Sequence, residues 1–387
     1  MQPIPPYYAH VLPDEAQLLL LRAAVSPLPE AAAAWDEWKR RHVLREGVQL
    51  PELAGRLRSG LDPASQRLLP LICHNLAATD LVAGLFRGLL QRNRQRNRFM
   101  LDTTQHILTQ LEDNGFDVLL LKGLPLTFRY YADPGLRRSA DVDLLVPRRQ
   151  FRDVCAFLER SLLPEVRSSS FFFPGICQVM HSQMFRGTFP FAIDVHHRLF
   201  HEHTDDNRMS AIWQQRERVL LGENIRASVP APTHLLFHVL AHAREVNAPV
   251  RWVPDAVTIC RKEGPRISWE ELAALAESYR FTSLFRIMLP FLAQEFSVPV
   301  PETVLTRLQN LPEHAYEKRY FFVTAQPIRN PLQKAYHFFY RDWLQQCLYG
   351  ERPPSFFSFI KRQQARLIYR LWEGINSSPT SAGSGVS

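Results

Sequence analysis

The feature that most restricts the fold of this 387-residue chain is the segment 140–146, Ala-Asp-Val-Asp-Leu-Leu-Val, which Pro147 ends. Side chains alternate between the two faces of a β-strand, so Asp141 and Asp143 project to one face while Val142 and Leu144 project to the other. Two carboxylates a few ångströms apart repel each other and usually need a cation to offset them. The segment therefore predicts a strand with one apolar face and one charged face.

The segments around this strand alternate between strand and helix patterns. Short apolar runs predict further strands, and apolar spacing of three and four residues predicts helices. The expected strands are 116–121, 140–146, 169–173, 178–186 and 191–196, and the expected helices are 124–131 and 148–162. A turn at 186–190 would join the last two strands as a hairpin. This order predicts an α/β (α+β) core with a mixed sheet.

The regions on either side of this core have helical spacing, with prolines at the breaks. Four parts are therefore expected along the chain. They are an N-terminal helical region (1–114), the α/β core (115–204), a C-terminal helical region (205–375) and a disordered tail rich in Ser and Gly (376–387).

A third carboxylate, Asp194, lies in a later strand with the same alternation: Asp194 and His196 face one side, and Ile193 and Val195 face the core. If this strand neighbours the one that carries Asp141, three carboxylates converge. Oxygen ligands of this kind suit Mg²⁺ or Mn²⁺, and three carboxylates can hold two ions for a nucleotidyl or phosphoryl transfer. Asp141, Asp143 and Asp194 are therefore predicted to be catalytic and metal-binding residues.

A phosphate-binding turn is predicted at Lys122 and Gly123, between a strand and a helix. Glycine lets the backbone approach an anion, and the following helix N-terminus offers unpaired N–H groups. Arg137 and Arg138 add positive charge at the same end of the core. Alone, an Asp-x-Asp pair is usually a solvated strand edge, and a Lys-Gly pair is usually a plain turn. Together with Asp194, the two patterns favour a nucleotide site.

Histidines form two candidate groups. His234, His238 and His242 are spaced four apart on a probable helix, a spacing that can bind zinc. The glutamate of the H-E-x-x-H motif is absent, so packing histidines are the favoured interpretation. His196 shares the face of Asp194 and is expected to touch a metal or a phosphate.

The composition sets limits on partners and location. A net charge of +8 suits an anionic partner such as a nucleotide or RNA, although solubility with a phosphate pocket explains it better than nucleic-acid binding. The five cysteines include no C-x-x-C pair, so neither a zinc ribbon nor a disulfide framework is expected. No signal-peptide pattern or apolar run of about 18 residues occurs. A cytoplasmic protein without a membrane partner is expected.

Four stretches together resemble the uncharacterised nucleotidyltransferase family, a branch of the DNA polymerase beta-like nucleotidyltransferase superfamily. They are the Lys-Gly turn in 119–125, Tyr-Ala-Asp-Pro-Gly-Leu-Arg-Arg at 131–138, Asp-Val-Asp-Leu-Leu-Val at 141–146 and Ile-Asp-Val-His at 193–196. The family pattern has Tyr-x-x-Pro-x-x-Arg, Asp-[Ile/Val]-Asp-Leu-Leu-Val and a later Val-Asp-Leu-His. The resemblance extends over about residues 18–299.

The resemblance implies roles for individual residues. Asp141 and Asp143 would be metal ligands, Asp194 the third carboxylate, and Gly123 would lie on the triphosphate. The family's arginine falls at 137 or 138, and spacing does not decide between them. A histidine of the 233–244 helix, such as His238, together with Asp255 and His196 would line the acceptor side.

The resemblance also implies an activity: transfer of a nucleoside monophosphate from an NTP, with Mg²⁺ or Mn²⁺, to an unidentified small molecule, peptide or protein. One departure is that Leu124 and Pro125 stand where the superfamily has Gly-Ser or Gly-Gly, so a hydroxyl and a backbone N–H are missing. Two alternatives therefore stay open. One is a catalytically weakened module that binds a nucleotide or peptide, and the other is an RNA-directed nucleotidyltransferase.

Overall fold

The computed structural model describes residues 6–42, 61–162, 167–168, 181–186, 189–200, 209–223, 225–244, 250–326 and 330–349, with single positions or short pieces in 52–60 and 355–365. The expected strand at 169–173 and the expected disordered tail lie outside these residues.

Helices make up most of the described chain. Before the sheet they are α1 (Glu15–Val25), α2 (Leu28–His42), α3 (Leu69–Leu76), α4 (Leu81–Gly84) and α5 (Arg87–Asp113). Within the α/β region they are α6 (Gly123–Pro125) and α7 (Phe151–Phe157). Each of these two helices continues as a π-helical turn, at Leu126–Tyr130 and Leu158–Leu162. After it come α8 (Ser210–Gln214), α9 (Pro232–His242), α10 (Trp252–Glu263), α11 (Trp269–Ser278), α12 (Thr282–Phe296), α13 (Glu302–Asn310), α14 (Ala315–Thr324) and α15 (Pro331–Tyr349). Short 3₁₀ turns cover Pro6–Val11, Ser65–Leu68 and Gly264–Arg266.

A mixed five-stranded sheet lies at the centre. Its strands are β1 (Leu119–Leu120), β2 (Asp141–Leu145), β3 (Arg167–Ser168), β4 (Ser182–Arg186) and β5 (Ala192–His196), in the order β1-β2-β5-β4-β3. β2 and β5 are parallel, and the other pairs are antiparallel. The prediction of a mixed sheet between helical regions is confirmed. β1 is shorter than the expected strand at 116–121.

One face of the sheet packs on an apolar cluster. Val142 and Leu144 of β2 and Ile193 and Val195 of β5 are at most 1% exposed and belong to this cluster, together with residues of α5 and α7. Because side chains alternate along each strand, burial of these four positions directs the intervening aspartates to the opposite face. The apolar face therefore fixes where the charged residues lie.

A β-hairpin follows the sheet where the sequence predicts only helices. β6 (Glu217–Leu221) pairs with β7 (Ile225–Val229), and Gly222 at the turn has φ +61°. Leu221 and the apolar positions of β7 lie in the same cluster as the sheet. The region after residue 205 therefore begins with strands that pack on the α/β core, and its helices follow.

The arginine-rich part of α5 holds the loop before β2. The Arg94 Nε donates to Asp133 Oδ1 at 3.0 Å, and an Arg96 Nη2 donates to the Pro190 carbonyl at 2.9 Å. Asn97, which follows Arg96, donates from Nδ2 to the Arg137 carbonyl at 2.7 Å. These side chains fix the loop that carries the two candidate arginines, so this part of the helix has a structural role.

Two of the described helices are long, α5 with 27 residues and α15 with 19. In the part of the chain that the structure describes, no single helix is both long and apolar enough to cross a membrane. Among the same described residues, one pair of helical segments, 65–76 and 81–113, is jointly long and apolar enough, but it is bent by 118° at its break.

A buried carboxyl in the C-terminal helices gives a first testable expectation. Glu317 of α14 accepts a hydrogen bond from the Ser283 backbone N–H at 3.2 Å and is 1% exposed. Burial raises the pKa of Glu317 from 4.5 to about 8. The folded state therefore keeps a proton that the unfolded state loses between these values. We expect the free energy of unfolding to fall by roughly 1.4 kcal/mol per pH unit across this window from this group.

Urea unfolding at pH 5, 6, 7 and 8 measures this dependence. The stabilisation from protonated Glu317 is complete below its pKa in the unfolded state, 4.5, and is lost as the pH rises through its pKa in the folded state, about 8. Glu317→Gln keeps a neutral side chain of the same shape and should remove this part of the slope. Equal slopes in the variant and the wild type would contradict the expectation.

Candidate active site

Two carboxylates and a histidine meet on the face of the sheet opposite the apolar cluster. The parallel register of β2 and β5 puts Asp143 directly beside Asp194, and His196 follows on the same face. His196 Nε2 lies 3.1 Å from Asp143 Oδ1 and 3.2 Å from Asp194 Oδ2. One ligand atom from each of the three residues lies within 4.8 Å of the other two. The expected proximity of the two strands is present, and it forms a compact group of metal-ligating side chains.

The charges in this group depend strongly on each other. Burial alone would lower the pKa of His196, but Asp194 and Asp143 outweigh it and raise that pKa to about 9. Burial alone would raise the pKa of Asp143, but Lys122 and His196 outweigh it and lower that pKa. His196 likewise outweighs the burial of Asp194 and lowers its pKa. The two carboxylates are therefore ionised and rely on neighbouring positive charge.

Within the described part of the chain, two buried carboxylate oxygens in this group lack a hydrogen bond, although the Lys122 ammonium lies 3.9 Å from one of them, Asp143 Oδ2. Among the described residues, neither Asp143 Oδ2 nor Asp194 Oδ1 has a hydrogen bond. A buried charged oxygen without a partner costs several kcal/mol of desolvation, roughly, unless a cation compensates. The two oxygens suit a divalent cation such as Mg²⁺ or Mn²⁺, and His196, whose pKa is about 9, can join them as a ligand once the ion displaces its proton. Asp143, Asp194 and His196 are thus the residues that fit a metal ion.

Asp141 lies at the start of β2, outside this three-residue group. It is half-buried, and both burial and the charge of Asp143 raise its pKa, while Lys122 and Arg251 oppose the shift. Of the three carboxylates expected to converge, the structure brings two together and places Asp141 on the rim, next to positively charged side chains.

The Lys-Gly turn lies against the carboxylates. Lys122 Nζ is 3.9 Å from Asp143 Oδ2 and 3.1 Å from His242 Nε2. A Cβ on Gly123 would lie 3.2 Å from the Asp141 carbonyl oxygen, closer than most real contacts. The turn therefore lies so close to β2 that a side chain at position 123 would crowd the Asp141 carbonyl, and glycine is favoured there. Leu124 points into the apolar cluster, so it does not line the turn.

Arg137 and Asp255 form a buried clamp behind the turn. Arg137 donates from Nε to Asp255 Oδ1 at 2.7 Å and from Nη2 to Oδ2 at 3.0 Å. Its Nη1 donates to the Gly123 carbonyl at 3.0 Å, and the Tyr131 hydroxyl donates to Asp255 Oδ1 at 2.7 Å. Both charged side chains are at most 4% exposed. The two side chains satisfy each other's charge, and the phosphate contact expected of Arg137 and the acceptor contact expected of Asp255 stay predictions.

Positive charge gathers on the more exposed side of the site, near Asp141. Arg138 is exposed, and Arg251 Nη1 donates to its backbone carbonyl at 3.1 Å. Partial burial lowers the pKa of Arg67, and repulsion from Arg138 and Arg137 lowers it further. Burial lowers the pKa of Arg251 to about 10, and repulsion from Arg137 is the second cause of this shift. Sequence reasoning did not single out Arg67, because it lies in the N-terminal helical region far from the motifs.

The histidines of α9 divide into two kinds. His238 Nε2 lies 3.0 Å from His242 Nε2, which in turn contacts Lys122. Burial, with His242 and Lys122, holds the pKa of His238 well below its usual range. His234 lies one turn earlier, 3.8 Å from Glu271. The packing interpretation suits His234, whereas His238 and His242 belong to the site.

Comparison with known proteins agrees with this geometry. Residues 64–297, more than half of the chain, match the family described as uncharacterised nucleotidyltransferase. The match includes the carboxylates, the Lys-Gly turn and α9. No curated protein matches the chain. A solved structure, the crystal structure of an antigenic nucleotidyltransferase-like protein from Paracoccidioides brasiliensis, is 14% identical, with 55% of this chain and 97% of that chain covered and a TM-score of 0.37. On the sequence match, the chain belongs to the uncharacterised nucleotidyltransferase family.

Proposed function

We propose that this protein is a metal-dependent nucleotidyltransferase, which moves a nucleoside monophosphate from an NTP to an acceptor. The observation that carries the proposal is the pair of buried carboxylate oxygens on Asp143 and Asp194 that lack a hydrogen bond among the described residues, in register on adjacent strands. Buried polar atoms without a hydrogen bond call for an explanation, such as an ion that is bound there. A divalent cation with its nucleotide is the ligand that suits them.

Asp143, Asp194 and His196 would hold Mg²⁺ or Mn²⁺. When bound, the ion would neutralise phosphate charge and favour the departure of pyrophosphate. In the transfer, an acceptor oxygen forms a bond to the α-phosphorus, and the bond from that phosphorus to the β-phosphate oxygen breaks. Asp194 would orient the acceptor hydroxyl and take its proton as the new bond forms.

The positively charged side chains around Asp141 would bind the phosphates. Lys122 lies on the carboxylate side, and Arg67, Arg138 and Arg251 lie on the more exposed side. In the described part of the chain none of these three arginines makes an ion pair with a carboxylate. Guanidinium groups bind phosphate oxygens in fork-like pairs. A triphosphate would therefore relieve their mutual repulsion, which compensates for the missing hydroxyl at Leu124 and the missing N–H at Pro125.

Arg67→Ala tests the phosphate contribution. Arg67 is exposed and makes no ion pair among the described residues, so its loss should leave the fold intact. We expect the affinity for an NTP to fall about five- to tenfold, the effect of about 1–1.4 kcal/mol from one charge-assisted contact. Calorimetric titration with ATP and with GTP measures it. Arg152→Ala, an exposed arginine of α7, is the matched control and should bind as the wild type does. Equal affinities in both variants would contradict the expectation.

The activity itself is tested by label transfer. The full chain is incubated with each of the four NTPs labelled at the α-phosphate, with Mg²⁺ or Mn²⁺, and with fractions of small molecules, peptides and proteins. Mass spectrometry then searches for products heavier by one nucleotide, and a coupled assay measures pyrophosphate release. Metal-dependent labelling supports the proposal. Absence of labelling and of pyrophosphate release with every NTP and fraction would refute it.

A binding module of the same fold is the second candidate. The observation that favours it is the turn itself, where Leu124 is buried in the apolar cluster and Pro125 has no N–H to offer. Such a module would bind a nucleotide or a peptide without turning it over. Calorimetry in EDTA separates the two functions: nucleotide affinity that is independent of metal, without pyrophosphate release, would favour the module.

A further inference from the structure

A continuous chain of polar contacts leads from α9 to the carboxylates. His238 Nε2 lies 3.0 Å from His242 Nε2, which lies 3.1 Å from Lys122 Nζ. Lys122 Nζ lies 3.9 Å from Asp143 Oδ2, beyond hydrogen-bonding distance. The ammonium is therefore hydrogen-bonded to a neutral partner, although a buried carboxylate lies less than 1 Å further away.

This arrangement needs an explanation, because the carboxylate attracts the ammonium more strongly than an imidazole does. A lysine side chain is flexible, and charge-assisted hydrogen bonds are about twice as strong as neutral ones. Without a competing partner, Lys122 would move onto Asp143 Oδ2. That oxygen is one of the two that fit the metal ion.

The proton positions follow from donor and acceptor chemistry. A lysine ammonium only donates, so His242 Nε2 must accept from it and carries no hydrogen. His238 Nε2 lies 3.0 Å from the same nitrogen, and a hydrogen on it shares the single lone pair of His242 Nε2 with Lys122. His238 Nδ1 is buried without a hydrogen-bond partner among the residues described, which agrees with a hydrogen on Nε2, because an unpaired acceptor costs less than an unpaired donor. The charged donor makes the stronger bond, so the acceptor nitrogen of the neutral His242 is directed mainly to Lys122.

Aromatic packing holds the two rings in place. Phe200 contacts both imidazoles, with ring centroids 5.8 Å from His238 and 6.1 Å from His242. The two imidazole centroids are 4.8 Å apart. Rings packed in this way cannot turn freely, so the acceptor nitrogen keeps its direction.

We propose that His242, supported by His238, is a positioning residue that holds the Lys122 ammonium off Asp143. The carboxylate is thereby kept for the metal ion, and the ammonium is kept for the phosphates that the ion brings. The inference rests on the metal-binding part of the proposed function and does not depend on which acceptor is used.

Binding of Mn²⁺ to the full chain, measured by electron paramagnetic resonance and calorimetry, tests this role without an activity assay. In His242→Ala the ammonium can pair with Asp143, and we expect the Mn²⁺ affinity to fall about tenfold. In the double variant Lys122→Met with His242→Ala the competitor is gone, so the affinity should return to that of Lys122→Met. His242→Gln offers an oxygen acceptor at the same place and should bind Mn²⁺ nearly as the wild type does.

His234→Ala is the matched control, because His234 is on the same helix and is also buried, but contacts Glu271 rather than Lys122. It should leave the Mn²⁺ affinity unchanged. Unchanged affinity in His242→Ala would overturn the proposal. So would a double variant as weak as His242→Ala, because the loss would then reflect damaged packing.

The same titration separates this inference from the proposed function. If the wild type binds no Mn²⁺, or if Asp143→Asn does not abolish the binding, the metal site and the inference fail together. If Mn²⁺ binds with the pattern above but no nucleotide is transferred, the role of His242 stands and the transferase function fails.

Discussion

Asp255→Ala is expected to lower the free energy of unfolding by about 3–5 kcal/mol. The change leaves the Arg137 guanidinium, 3% exposed, without its carboxylate, and it removes the acceptor of the Tyr131 hydroxyl. An unpaired buried charge of this kind is more costly than the net gain from the intact pair. The effect should also reach the site, since Arg137 holds the carbonyl of Gly123.

Urea unfolding followed by circular dichroism measures the loss. Glu270→Ala is the control, because it removes a carboxylate that pairs with Arg307 at 3.0 Å on the surface, where both side chains are more than a third exposed. A surface pair contributes about 0–1 kcal/mol, so the control should stay close to the wild type. A loss below about 1 kcal/mol in Asp255→Ala, within the range of a surface pair, would show that the pair is not the buried clamp that its geometry indicates.

The alternation of polar and apolar residues was sufficient to predict the charged face of the sheet. Val142 and Leu144 are buried in the apolar cluster, and the aspartate between them projects to the other side, as the strand pattern requires. The pairing of β2 with β5 depends on residues far apart in the chain, so the sequence analysis could state it only as a condition. The structure satisfies that condition with Asp143 beside Asp194.

The partners of the charged residues could not be predicted in the same way. Arg137 and Asp255 are 118 positions apart, and Lys122 and His242 are 120 apart. A sequence pattern shows that a charge is present, but which charge it meets depends on how the helices pack around the sheet. The family pattern could not decide between Arg137 and Arg138. In the structure Arg137 is buried and bonded to Asp255, whereas Arg138 is exposed.

The hairpin β6–β7 was missed for a local reason. Val219 and Leu221 follow the alternation of a strand, but Leu220 between them is also apolar and is 56% exposed. Three apolar residues in a row hide the period of two on which a strand prediction depends. The alternation is clear in β7, where Ile225, Ala227 and Val229 are buried.

Asp143→Asn is expected to reduce nucleotide transfer by at least about 100-fold, because even residues that only support a metal ligand contribute about 10- to 100-fold. The same change should also lower the free energy of unfolding at neutral pH, because Lys122 and His196 lower the pKa of Asp143 and so stabilise its ionised form in the folded state. It removes the carboxylate charge that these two groups contact and keeps the shape of the side chain.

Pyrophosphate release and thermal unfolding, measured on the same preparation, test both halves of this expectation. Asp117→Asn is the control, because Asp117 lies just before β1 on the surface and is 3.5 Å from Arg149. It should change neither quantity. Transfer by Asp143→Asn within about tenfold of the wild-type rate, below the range for a metal ligand, would remove Asp143 from the catalytic machinery. An unfolding temperature equal to that of the wild type would show that Lys122 and His196 do not stabilise the Asp143 carboxylate.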